Sequence, residues 1–292
     1  MESNKEGIMQ SEPLMMFSSI RGRSLLSIFF LAMVVPVLGA EIVWPELFTE
    51  VNPLLDAIVP FVMYFSLAIL IWIACLRAGI ANQVFFGNPL STKQTWIYGL
   101  LGVPLVAIAV FSTFLLYIPL SYVSPEFVVS WVLETPPIIW WEPGIDTVLA
   151  SGINALVLVV VGPVIEEVFF RGFLLNRWHQ KYGIVKAVVF SSTIFAILHV
   201  DILGGFVFGV VLSLLYLKTK SLIGPIVIHI SNNAIVLMVL LVEGAIYGGN
   251  PNVTLDEFRA YWWIAPLGAV IGIPWLMWFC RKFLSQTSKS VV

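Results

Sequence analysis

Charged residues are scarce in this sequence. Only 11% of its 292 residues are Asp, Glu, Lys or Arg, and the formal net charge is −2. Binding to nucleic-acid phosphates requires a basic surface, so the sequence predicts no nucleic-acid partner. The two cysteines, Cys75 and Cys280, lie in or at the end of apolar runs, where they are expected to pack as small hydrophobic residues. The sequence therefore has neither a disulfide framework nor a cysteine-rich metal motif.

Long apolar runs dominate instead. Hydrophobic residues make up 59% of the chain, which is typical of a protein embedded in a lipid bilayer. We therefore predict an all-α fold, a polytopic bundle of about eight transmembrane helices. A fourth run contains the pair Glu166-Glu167, and the other runs cover residues 25–40, 54–76, 96–120, 186–200, 203–217, 222–242 and 261–280.

The distribution of basic residues predicts the orientation. Lys and Arg collect in cytoplasmic connections, and with eight spans and both termini in the cytoplasm only Arg259 of the fifteen lies outside. The protein would be an integral multi-pass membrane protein, of the plasma membrane if its source is bacterial. The first run also resembles a secretory signal peptide, because Arg21 and Arg23 precede it and Gly39-Ala40 ends it. An uncleaved first span is the interpretation we favour.

Two adjacent acids interrupt the fourth apolar run. Charged side chains inside a bilayer are costly, about 2.5–3.5 kcal/mol each on insertion scales, so they are candidates for function. Glu167 and Arg171 stand four residues apart, the spacing at which a helix pairs an acid with a base. Glu166 would then point about 100° away, without that partner and towards the bundle. In the alternative interpretation, both acids lie at a cytoplasmic helix end and are neutralised by nearby basic residues.

Two further polar intrusions follow in the fifth and seventh runs. His199 ends the segment Phe195-Ala196-Ile197-Leu198-His199, and His229 precedes Asn233 by four residues, which places those two on one helical face. Each alone is as readily explained by hydrogen bonds between helices. At 1.5 Å per residue, however, all of these groups fall within roughly 10 Å of one plane, so a shared cavity, expected to open to the cytoplasm, can contain them.

The three motifs together, Glu166-Glu167-x-x-x-Arg171, Phe195-x-x-x-His199 and His229-x-x-x-Asn233, resemble those of the CPBP family. This family of intramembrane glutamic endopeptidases includes CAAX prenyl proteases of the Rce1 type and bacterial Abi relatives. The resemblance covers about residues 147–242 and implies a catalytic domain there. Residues 1–146 would form an N-terminal region with about three spans, and residues 243–292 an outer loop, a final span and a cytoplasmic tail.

The resemblance also implies roles for individual residues. Glu166 would be the general base and His199 would help to bind the attacking water, whereas His229 and Asn233 would donate hydrogen bonds to the oxyanion. Glu167 and Arg171 would give structural support. Gly205 and Gly209, four residues apart, are expected to let the sixth helix approach its neighbours closely. The expected substrate is a membrane-associated or prenylated protein or peptide, and no cofactor or metal is expected.

Two other functions are compatible with the same residues. Two histidines and a glutamate form a known zinc ligand set, so a zinc-dependent membrane protease is an alternative. Against it, the sequence has no His-Glu-x-x-His spacing, and Asn233 has no natural place around zinc. The other alternative is a non-catalytic transporter, scaffold or immunity protein, in which the polar groups line a pathway or lock the bundle.

Overall fold

The computed structural model describes residues 22–43, 45, 52–79, 86–87, 89–249 and 253–287. Helices account for all of the regular structure in this part of the chain, which confirms the predicted all-α fold. Seven helical segments are long and apolar enough to cross a bilayer, and a shorter apolar helix completes the predicted eight. They are α1 (Gly22–Val43), α2 (Pro53–Ala78), α3 (Thr92–Val123), α4 (Ile145–Tyr182), α5 (Ile184–Ile197), α6 (Ile202–Thr219), α7 (Ile223–Tyr247) and α8 (Leu255–Lys282).

Three of the basic residues used to predict the orientation, Lys5, Arg21 and Lys289, lie outside the described residues. The division of the chain into residues 1–146, 147–242 and 243–292 stays a prediction. The uncleaved first span also stays a prediction. In the structure, α1 forms one helix across the whole first apolar run, residues 25–40.

Helix α4 is at the centre of the bundle and contacts α2, α5 and α7. Its opening residues pack on α2, and its middle packs on α7. Helix α3 lies on the far side of α7 and also contacts α6 and α8. The two glutamates of α4 are therefore surrounded by other helices, while the outer helices shield them from lipid.

Wide π-helical turns interrupt α4 on both sides of the glutamates, at Val157–Val161 and Val168–Leu175. In the first, the Gly162 N–H donates to the Val157 carbonyl, five residues earlier. The next residue, Pro163, has no N–H to offer to the Leu158 carbonyl in the same register. The Asn233 side chain of α7 donates to that carbonyl instead, with Nδ2 and O 2.8 Å apart. The proline thus frees a carbonyl that α7 uses to dock on α4.

Helix α5 is shorter than its predicted range, residues 186–200, and ends at Ile197. Residues 198–201 form a tight turn, in which the Leu198 and His199 amides donate to carbonyls three residues earlier. Asp201 then caps α6 by accepting a hydrogen bond from the Gly204 amide at 3.0 Å. His199 consequently lies in the turn between two helices, within the bundle.

Helices α5 and α6 approach each other closely, as Gly205 and Gly209 of α6 predicted. A Cβ atom added at Gly209 would lie 2.9 Å from the Ser192 Cβ, and one at Gly205 would lie 3.3 Å from the Ala196 Cα. Only glycine fits at the first of these positions without a shift of α5. The close approach brings the turn that contains His199 over the middle of α4.

Candidate active site

The predicted site residues meet at one place in the bundle. One carboxylate oxygen of Glu166, Oε2, lies 4.0 Å from His199 Nε2 and 3.8 Å from His229 Nε2. Both histidines and the glutamate line one cavity of about 590 Å³, together with Asn233. Two helices and a turn that are distant in sequence thus place four polar side chains around a common space.

The hydrogen bond at Nδ1 of each histidine fixes the tautomer of its ring. His199 Nδ1 lies 2.7 Å from the Phe195 carbonyl oxygen, and His229 Nδ1 lies 2.8 Å from Glu167 Oε1. A carbonyl and a carboxylate only accept, so each Nδ1 carries a proton. In the neutral rings each Nε2 is therefore a hydrogen-bond acceptor that faces Glu166.

Glu167 and Arg171 form the predicted ion pair, with Arg171 Nη1 and Glu167 Oε1 2.8 Å apart. Their side chains are 0% and 1% exposed, so the pair is fully buried. Arg171 also donates to the Gly209 carbonyl at 3.3 Å, and its guanidinium lies 4.6 Å from the centre of the Phe195 ring. The same Glu167 oxygen accepts from His229, so this acid connects the buried pair to the site.

Tyr64 is a site residue that the sequence motifs did not identify. It lies on α2, and its hydroxyl donates a hydrogen bond to Glu166 Oε1. The sequence interpretation left Glu166 without a partner, whereas in the structure it accepts this hydrogen bond. A lone tyrosine in an apolar span is a signal that could have been noticed, since a buried Tyr hydroxyl usually needs a partner.

Asn233 is oriented by two hydrogen bonds. Its Nδ2 donates to Leu158, and its Oδ1 accepts from Asn232 Nδ2 at 3.1 Å. One N–H of the Asn233 amide is therefore engaged with α4, and the second N–H is the one available to a ligand in the cavity. The residue has a structural part in docking α7 on α4 as well as its predicted role in the site.

The donor atoms for the zinc alternative are His199 Nε2, His229 Nε2 and Glu166 Oε2. Both histidines have a fixed Nδ1–H, the arrangement that commonly orients metal ligands. Tetrahedral ligands at the usual zinc distances would lie about 3.3 Å apart, which is closer than the separations present. Among the described residues, no group of three His, Cys, Asp or Glu side chains has the arrangement of a metal site.

The cavity extends from Glu166 towards the end of the bundle opposite to the cytoplasmic end, where the sequence analysis expected it to open. Its lining includes Leu55 at the start of α2, Pro137 in the connection between α3 and α4, and Asn154 in the first half of α4. With the predicted orientation these residues lie on the outer side of Glu166. The sequence expectation of a cavity open to the cytoplasm therefore conflicts with this lining.

Comparison with known proteins finds a family whose model matches the region of this site. Residues 149–235 match the model of the type II CAAX prenyl endopeptidases, described as Rce1-like. Glu166, His199, His229 and Asn233 and the Glu167–Arg171 pair fall within the matched range. Tyr64 lies outside it.

Two bacterial proteins are similar to the chain over part of its length. The putative membrane peptidase YdiL of Bacillus subtilis (strain 168) is 30% identical over 100 residues, which are 33% of this chain and 41% of YdiL. The membrane-embedded CAAX protease MroQ of Staphylococcus aureus (strain USA300) is 37% identical over 93 residues, 29% of this chain and 38% of MroQ. The chain thus aligns with less than half of either relative. No solved structure matches it.

Proposed function

We propose that this protein is an intramembrane endopeptidase that hydrolyses a peptide bond of a membrane-associated protein or peptide, with Glu166 as general base. The observation that supports it best is the convergence of the Glu166 carboxylate with two histidine Nε2 atoms in a cavity inside the bundle. The match to the Rce1-like family model and the peptidase names of the two relatives support the same reaction class.

Glu166 and His199 are suited to activate water. Both Glu166 Oε2 and the neutral His199 Nε2 accept hydrogen bonds, and they lie 4.0 Å apart. A water molecule between them donates one hydrogen to each. As its oxygen adds to the scissile carbonyl carbon, one proton moves to Glu166, which later passes it to the leaving amine. Tyr64 keeps the Glu166 carboxylate in position by donating to its other oxygen.

His229 and Asn233 are suited to stabilise the oxyanion. The second N–H of Asn233 is available, whereas His229 Nε2 can donate only when the ring is protonated on both nitrogens. Glu167 accepts from Nδ1 and so orients the ring with Nε2 towards the cavity. Loss of one oxyanion donor typically slows catalysis by about 10²–10³. In this arrangement Glu167 is a positioning residue for His229 and also stabilises the fold.

A zinc-dependent protease is the second candidate, and the facing Nε2 atoms around Glu166 are the observation that favours it. In that case zinc would activate the water as a Lewis acid. His199 and His229 would bind the ion, each oriented by its Nδ1–H. The proposed roles of Asn233 and of the imidazolium form of His229 would then not apply.

The test compares Glu166→Gln with the exposed control variant Glu41→Gln. Membrane peptides from cells with either variant, the wild type or no copy are compared by mass spectrometry. We expect cleavage products that require the chain, persist with Glu41→Gln and disappear with Glu166→Gln, while both variants keep the thermal stability of the wild type. Continued turnover by Glu166→Gln would refute the general base. Equal peptide patterns in all four samples would favour a transporter, scaffold or immunity protein.

A further inference from the structure

In the part of the chain that the structure describes, the cavity reaches Glu166 from one end of the bundle. Its lining continues from Glu166 past Asn154 to Leu55 and Asp56, at the start of α2, and to the connection that precedes α4. Asn154 holds this connection in place by donating to the Ile138 carbonyl at 3.2 Å. Leu55 precedes Tyr64 by nine residues, so the path from the mouth to Glu166 is about 14 Å along α2.

The other half of the bundle is closed. Below the glutamates, α4 contributes large side chains that are almost fully buried. They are Phe169, Phe170, Phe173, Leu174 and Leu175. The turn between α6 and α7 closes the end itself, where the Ser221 hydroxyl donates to the Phe86 carbonyl at 2.5 Å. Among the described residues, no cavity leads from this end to Glu166.

Charge separates the two ends of the bundle. Apart from the buried Arg171, the described basic residues lie at the closed end, with one exception, Arg259, which donates to the Ser121 carbonyl at the open end. Those at the closed end are Arg23, Arg77, Lys93, Arg177, Lys181, Lys186, Lys218, Lys220, Arg281 and Lys282. The described acids other than Glu166 and Glu167 lie at the open end, except Asp201, which caps α6 inside the bundle and lines the cavity. Because Lys and Arg accumulate on the cytoplasmic side, the closed end is the cytoplasmic one.

From this combination we infer that the active site opens to the extracytoplasmic side and takes a peptide segment presented from there. The inference rests on the proposed peptidase function and specifies its substrate class. An extended chain advances about 3.3 Å per residue, so about four residues span the path from the mouth to Glu166. The substrate is thus an extended end or unfolded segment of an exported or membrane-anchored protein, rather than a tail presented from the cytoplasm.

Side-specific cysteine labelling tests the direction without any need for activity. In a chain whose Cys75 and Cys280 are replaced by alanine, Pro137→Cys marks the mouth and Lys181→Cys marks the closed end. An impermeant maleimide is added to sealed right-side-out and inverted vesicles. We expect Pro137→Cys to react in right-side-out vesicles and Lys181→Cys in inverted ones. Asp56→Cys, at the same mouth, replaces Pro137→Cys if that variant does not fold.

Labelling also tests the substrate route. Once a cleaved peptide is known, modification of the mouth cysteine from outside should abolish its cleavage, whereas modification of Lys181→Cys should leave it unchanged. Reaction of the mouth cysteine in inverted vesicles would overturn the inference and leave the peptidase proposal intact. Undiminished cleavage after complete outside labelling would also overturn it. Failure of the peptidase proposal would instead be seen as equal peptide patterns with and without the chain, whichever side is labelled.

Discussion

Glu167→Gln is the most informative substitution, because Glu167 contacts both the buried arginine and His229. The change keeps the shape of the side chain and removes its charge, which leaves Arg171 buried without a charged partner, beside the Gly209 carbonyl and the rings of Phe170 and Phe195. Breaking a fully buried ion pair by removing one member costs about 3–5 kcal/mol. We therefore expect a marked loss of thermal stability in detergent. Exposed substitutions such as Glu41→Gln usually change stability by less than about 0.5 kcal/mol.

The double variant Glu167→Gln, Arg171→Met separates stability from catalysis. Replacing both members of a buried pair by groups without charge is often close to neutral, so the double variant should recover most of the lost stability. Its cleavage activity should stay low, because a glutamine can turn either its oxygen or its NH2 group towards His229 Nδ1 and no longer fixes the tautomer of the ring.

Thermal unfolding in detergent and cleavage of one peptide are measured for the wild type, for Glu167→Gln, Arg171→Ala and Arg171→Met, and for the double variant. If Glu167→Gln and Arg171→Ala are as stable as the wild type but inactive, the structural role assigned to the pair is wrong and Glu167 belongs with the catalytic residues. If the double variant recovers both stability and full activity, His229 does not depend on the charge of Glu167.

Two other predictions concern the site itself. Tyr64→Phe removes a hydrogen bond to a charged group, worth about 1.5–3 kcal/mol, so kcat should fall by about 10–100-fold with little change in KM or thermal stability. Tyr247→Phe, on an exposed tyrosine, is the control. An unchanged kcat in Tyr64→Phe would remove Tyr64 from the site. Without a metal, activity should survive prolonged chelation, and His229→Ala and Asn233→Ala should each slow turnover by about 10²–10³. Elemental analysis distinguishes the zinc alternative, in which one tightly bound zinc per chain disappears with His229→Ala while Asn233→Ala has little effect on it.

The sequence by itself predicted much of this protein. Because a bilayer requires long apolar helices, the runs identified eight helices and the all-α class, and α5 alone ends before the end of its predicted range. The expense of charge in lipid identified Glu166 and Glu167, and helical spacing predicted the pair with Arg171. These inferences depend on local period and composition, which the linear sequence contains.

Tertiary structure decided which groups meet those residues. Tyr64 is 102 positions from Glu166, and no periodic pattern relates the two. The bond from Asn233 to Leu158 arises because Pro163 leaves a carbonyl free within a π-helical turn, and helix periodicity does not reveal such a turn. The direction of the cavity was likewise a tertiary property. Charge pattern predicts which end of each helix faces the cytoplasm, but large side chains packed against neighbouring helices decide which end is closed.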